Sequence, residues 1–160
     1  QKDGWCWFFG VIDHFNNEIL SWHVSKKGDR FEAMRPVADA VISTFGSFDK
    51  NVAQGLRLRT DCGSQYKSNY FRNEVTHASI EMSYTFARSP ESNGIIERFH
   101  RILEEQVFSV NQFADLAEAQ EAIEKFIHDY NILWILHRSG GKSPKEMRQE
   151  HQKNKLKKCA

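Results

Sequence analysis

No apolar run in this 160-residue chain approaches the roughly 20 residues of a membrane-spanning helix. The chain opens Gln1-Lys2-Asp3-Gly4, with neither an initiating Met nor a small-residue cleavage site after an apolar stretch. It therefore carries no legible signal peptide and reads as an excised fragment. Cysteine is scarce: Cys6, Cys62 and Cys159 are odd in number, widely spaced and free of Cys-x-x-Cys pairing. That excludes a disulfide framework and argues against a zinc site, and it fits a reducing, cytoplasmic compartment. Internal repeats, low-complexity tracts and an interdomain linker are also missing, and nothing reads as a helix-turn-helix.

What is present is an ordinary globular composition, 40% apolar and 27% charged. One domain of this length buries roughly 70% of its unfolded surface, enough for a core without staples. The net charge of +1 hides an asymmetry. Arg138 to Ala160 holds eight Lys/Arg against Glu146 and Glu150, leaving fourteen basic and nineteen acidic residues before it. The sequence is therefore divided into a core, 1–137, and a basic C-terminal tail, 138–160. Such a tail either contacts phosphates through counterion release or is a solvated end, with the Lys-rich stretch Lys153 to Lys158 read as disordered.

Trp5 to Asp13 is rich in aromatic and β-branched residues, and after His14-Phe15-Asn16-Asn17 a second run covers Glu18 to Val24, so the pair reads as a β-hairpin. Gly28 and Asp29 break this pattern. Phe31, Met34, Val37, Ala38, Val41, Ile42 and Phe45 then recur at helical spacing until Gly46. Leu56 to Thr60 is a short strand, Gly63 opens a helix through about Thr76, and Ile80 to Phe86 is strand again. Pro90 to Gly94 makes a loop or first turn, Ile95 to about Phe108 a helix, and Leu116 to Tyr130 another.

Two carboxylates stand out. Asp61 follows a strand directly and Glu97 lies on a helix, with thirty-five residues between them. Ile95, Ile96, Phe99, Ile102, Leu103 and Val107 gather on one helix face, which sends Glu97, Arg101 and Glu104 to the other. Each carboxylate has an ordinary role open to it: Asp61 caps the next helix, and Glu97 pairs with Arg101 one turn on. A carboxylate at a strand end also suits a cleft outside the sheet, where oxygen ligands hold Mg²⁺.

Thr60-Asp61-Cys62-Gly63-Ser64-Gln65-Tyr66-Lys67-Ser68 and Ser89-Pro90-Glu91-Ser92-Asn93-Gly94-Ile95-Ile96-Glu97-Arg98-Phe99 resemble the second-Asp and glutamate motifs of integrase-core transposases. Val11-Ile12-Asp13, Tyr130-Asn131 and Gly141-Lys142-Ser143-Pro144 extend the similarity to insertion-sequence transposases over nearly the whole chain, and more distantly to retroviral integrases.

The resemblance implies an α/β, ribonuclease H-like mixed sheet flanked by helices, and a transposase catalytic core that cleaves and joins DNA ends as a homo-oligomer. It implies Mg²⁺ or Mn²⁺ held by Asp, Asp and Glu, of which Asp61 and Glu97 are the second and third. The first aspartate falls on a strand expected before Gln1. Asp13 and Asp3 are poor substitutes, since both fall at turns. Lys67, Arg88, Asn93, His100 and Arg101 are the candidate DNA contacts, each also readable as ordinary surface. Trp134, Phe113 and Phe126 read as packing residues. The alternative is a catalytically incomplete remnant acting as a DNA-binding or protein-interaction module.

Overall fold

The computed structural model describes residues 4–85, 94–135 and 140–158. The chain divides into two compact units, one containing Asp3–Val11 and Leu20–Arg98, the other Ile12–Ile19 and Phe99–Ala160.

In the first unit, strands β1 (Trp7–Ile12) and β2 (Ile19–Ser25) pair as the expected hairpin, each strand crossing the unit boundary at one end. Helix α1 (Arg30–Phe45) follows. Asp29 starts it by accepting backbone N–H bonds from Phe31 and Glu32 at 2.9 and 3.1 Å. Gly46 stops it at φ 87°, a conformation that favours glycine, with its N–H bonded to the Ile42 carbonyl. Between these caps Met34, Val37 and Val41 are buried as the sequence spacing marks, with Ala33 and Ala40 beside them, whereas Phe31, Ile42 and Phe45 of the same expected stripe are exposed.

Strand β3 (Arg57–Thr60) runs parallel to β4 (Glu81–Tyr84), with Arg57 opposite Glu81 and Thr60 opposite Tyr84. A parallel pair needs a helical crossover. The expected single helix is instead two, α2 (Ser64–Lys67) and α3 (Asn69–His77). Ser68 between them is extended, and its Oγ accepts the Phe71 N–H at 3.2 Å, so a new cap begins where the first helix ends. Phe71, Val75, Ala78 and Ile80 meet Phe9 and the buried face of α1 in one apolar core, with Leu58, Tyr66 and Met82 packed against it.

Helix α4 (Gly94–Leu103) ends in a π-helical turn, Glu104–Phe108, so the expected helix to Phe108 is α-helical only in its first part. In the second unit this is followed by α5 (Leu116–Leu133) and α6 (Pro144–Lys158). Phe99, Ile102, Leu103, Val107, Ile123, Ile127 and Tyr130 are buried. Phe99 meets Tyr130 edge-on at 5.1 Å and Phe126 at 6.4 Å, while Phe108 packs on Phe113 and Trp134 on Tyr130. The packing reading of these aromatics is correct.

The Lys-rich end corrects an expectation, because it is helical through Lys158. Ser143 and Glu146 explain why: the Ser143 N–H donates to the Glu146 carboxylate at 2.9 Å and the Glu146 N–H reaches Ser143 Oγ at 3.4 Å, a reciprocal capping box with Pro144 in the first turn. Its hydrogen bonding holds the Glu146 carboxyl below its ordinary range, the Ser143 backbone N–H contributing most. The hairpin turn docks on this helix. Asn16 Nδ2 bonds the Pro144 carbonyl and the Glu18 carboxylate, each at 3.0 Å, and Arg148 Nε lies 2.9 Å from Glu18. Asp13 stays a turn residue, its Oδ1 accepting the Phe15 N–H at 2.8 Å.

Candidate functional site

Asp61 directly follows β3, whose last residue is still tied into the parallel ladder, the Thr85 N–H donating to the Thr60 carbonyl at 2.9 Å. The carboxylate is exposed, and its Oδ1 accepts the Gly63 N–H at 2.7 Å. That bond turns the side chain within its own loop. Asp61 does not cap α2, whose N-cap is Gly63 with no side-chain hydrogen bond.

Gly63 is needed here for space rather than for backbone freedom. A methyl group on its Cα would stand 2.8 Å from Asp61 Oδ1 and 2.6 Å from the Gln65 side-chain amide. Below the loop, Tyr66 packs edge-on against Phe71 at 5.2 Å and its carbonyl accepts from Tyr84 Oη at 3.4 Å. Burial, with the Asp61 charge second, pushes the Tyr66 phenol up to about 12, although the Gln65 hydrogen bond opposes this. A neutral, partly buried tyrosine thus lies beneath an exposed carboxylate.

Glu97 is exposed in α4, as its helical phase requires, with Phe99, Ile102 and Leu103 buried on the other face. Ile96 holds the start of this helix near β1. A methyl group on Gly10 would meet Ile96 Cδ1 at 3.9 Å and the Phe8 ring at 2.9 Å, so the glycine makes room there. Asp61 and Glu97 both belong to the unit that spans Leu20–Arg98.

Arg101 pairs forward with Glu105 at 3.9 Å, both well exposed, rather than back to Glu97, and such a pair is worth little. His100 and Arg101 are exposed, as is Lys67 at the end of α2. Arg88 and Asn93 lie outside the described residues. Among the described residues no three His, Cys, Asp or Glu side chains gather as metal ligands. The donor chemistry of Asp61 and Glu97, two solvent-facing carboxylates, nevertheless suits a hard cation. The sequence reading missed Gly63, for which the Asp-x-Gly spacing was the available signal, and Tyr66, for which there was none beyond its neighbourhood.

Residues 78–144 match the integrase core domain family. The chain is 28% identical over 142 residues to the putative transposase InsK of insertion sequence element IS150 from Escherichia coli (strain K12), covering 88% of this chain and 47% of that protein. It is 33% identical over 139 residues to the putative transposase InsD of insertion element IS2E from the same organism, covering 85% and 62%. The chain thus spans about half the length of the first of these curated relatives. Among solved structures it resembles the HTLV-2 integrase catalytic core domain in complex with magnesium, with TM-score 0.64 and 20% identity over 88% of this chain and 93% of that one. The likeness shows the ribonuclease H-like fold of such cores. No helix among the described residues is long and apolar enough to cross a membrane.

Proposed function

We propose that this chain, whose residues 78–144 match the integrase core domain family, is the catalytic core of a transposase that cleaves and joins DNA ends with divalent metal. The observation that carries this reading is the placement of Asp61 and Glu97. One is exposed at the end of a parallel strand and the other on the solvent face of α4, within one compact unit.

Asp61 and Glu97 would hold Mg²⁺ or Mn²⁺. When bound, such ions activate water or a 3′-hydroxyl and stabilise the leaving oxygen in displacement at phosphorus. The chain's own contribution is orientation. The Gly63 N–H holds the Asp61 carboxylate in the loop, and the buried stripe of α4 keeps Glu97 in solvent. His100 and Arg101 follow Glu97 on the helix and would contact the phosphate backbone, as would Lys67 and, outside the described residues, Arg88 and Asn93. Processing two DNA ends together calls for a homo-oligomer.

The test is cleavage and joining of labelled element ends in Mg²⁺ by the intact protein and its Asp61→Asn and Glu97→Gln variants. Both variants should lose at least about a hundredfold in rate, since the ions the carboxylates hold supply most of the charge stabilisation. Unchanged rates would sink the assignment.

A further inference from the structure

A cleft of about 610 Å³ opens beside the start of α1 and the junction of α2 with α3, lined by Arg30, Phe31, Lys67, Ser68, Asn69 and Tyr70. Phe31 and Tyr70 are 47% and 37% exposed, large values for aromatic rings. Their centroids lie 4.7 Å apart with the planes tilted by 53°, and the Arg30 guanidinium carbon stands 4.8 Å from the centre of the Phe31 ring. The buried stripe of α1 runs through Ala33, Met34 and Val37 and does not include Phe31.

The charge here has one sign, because Arg30 and Lys67 line the cleft and no carboxylate does. The acidic neighbours in α1 are engaged elsewhere. Asp29 accepts two backbone N–H bonds, and Glu32 lies 2.6 Å from His23 Nε2 and 3.3 Å from Arg35 Nε.

We propose that this cleft holds an unpaired nucleotide of a DNA strand, its base stacked on the Phe31, Tyr70 and Arg30 surface and its flanking phosphates paired with Arg30 and Lys67. Exposed rings beside uncompensated cations are the two parts of single-strand recognition, stacking and backbone neutralisation. A duplex cannot use the rings, because its base faces are covered by their neighbours in the stack. The inference rests on the DNA-processing reading above and adds the class of strand; neither carboxylate lines the cleft, which shares Lys67 with the backbone contacts proposed there.

The test is fluorescence anisotropy with a short labelled single-stranded oligonucleotide and the same sequence as a blunt duplex, in chelator so that no chemistry intervenes. Phe31→Ala and Tyr70→Ala should each weaken single-strand binding about tenfold and leave duplex binding unchanged, with Phe31→Trp retaining it. Lys67→Gln should flatten the salt dependence by about 0.7 in logarithmic slope, one phosphate contact. Single-strand affinity equal to the parent's in both alanine variants, equal losses on both substrates, or a parent that does not bind single strands would each overturn the proposal. Asp61→Asn, measured in parallel, separates the two readings. It should bind the single strand normally, so if it does while still cleaving DNA, the carboxylate assignment alone fails.

Discussion

The side-chain amide of Asn131 makes two hydrogen bonds with the backbone of Ile19, its Nδ2 donating to the carbonyl and its Oδ1 accepting the N–H, each at 2.9 Å. A side chain from the end of α5 thereby takes the place of a strand neighbour at the first residue of β2. Asn131→Asp keeps an acceptor for the Ile19 N–H but cannot donate to its carbonyl, and Asn131→Ala leaves both groups part-buried and unpaired. Both variants should lower the urea midpoint. Alanine should cost about 1 to 3 kcal/mol, the range for stranding a buried polar backbone group, and a midpoint unchanged in Asn131→Ala would show that water replaces the amide.

Gly63→Ala probes the geometry of the candidate metal ligand. The added methyl would crowd Asp61 Oδ1 and the Gln65 amide, both side-chain ends, so it is relieved by displacing them, the carboxylate among them. DNA cleavage should fall by about tenfold or more, since small displacements of a catalytic group carry costs of this order or larger, while the melting temperature stays near the parent's. A variant as active as the parent would show that the Asp61 loop tolerates the shift.

Tyr66 gives an alkaline signature. Its pKa of about 12 in the folded state lies above the ordinary 10.0, so the folded state holds this proton more tightly than the unfolded chain. The resulting stability is fully present below pH 10 and is lost as pH rises from 10 towards 12. Phenolate absorbance should show one late-titrating tyrosine. In Asp61→Asn it should titrate earlier but still above 10, because burial is the larger cause and the Asp61 charge the second. Tyr66→Phe should abolish the late step.

Glu146 has the opposite sign. Its carboxyl is lowered from 4.5, so its contribution to the α6 cap is present above the ordinary Glu range and is lost as pH falls through the lowered folded-state value. Glu146→Gln removes the charge but keeps an acceptor. Melting temperatures of parent and variant should differ near neutral pH and converge in acid, and a constant difference would exclude the ionised carboxylate as the source. Ser143→Ala should cost about 1 kcal/mol at every pH above that range, the usual price of an N-cap.

Much of the fold was legible because its signals are local. Asp29 and Gly46 bracket α1 with a capping carboxylate and a left-handed glycine, and both act on backbone within a turn of themselves. Glu97 was readable for the same reason, since helical phase alone decides that it faces solvent when Phe99 and Leu103 are buried. The α6 helix was missed although Ser143, Pro144 and Glu146 announce it, because a lysine-rich stretch without an apolar stripe offers no periodicity to read. The break at Ser68 was missed because a serine within a helical pattern signals a cap only once its partner N–H is known.

The sequence by itself determined the types and order of most elements, the two carboxylates and the strand and helix that carry them, since these depend on periodicity and short-range capping. Only the tertiary structure decided what reaches across the chain. Asn131 bonds Ile19 over 112 positions and Asn16 bonds Pro144 over 128, and α1 meets α3 at a cleft of cations and exposed rings. Such contacts form between groups whose separation along the chain carries no periodic signal, so they exist only after the helices and strands have packed.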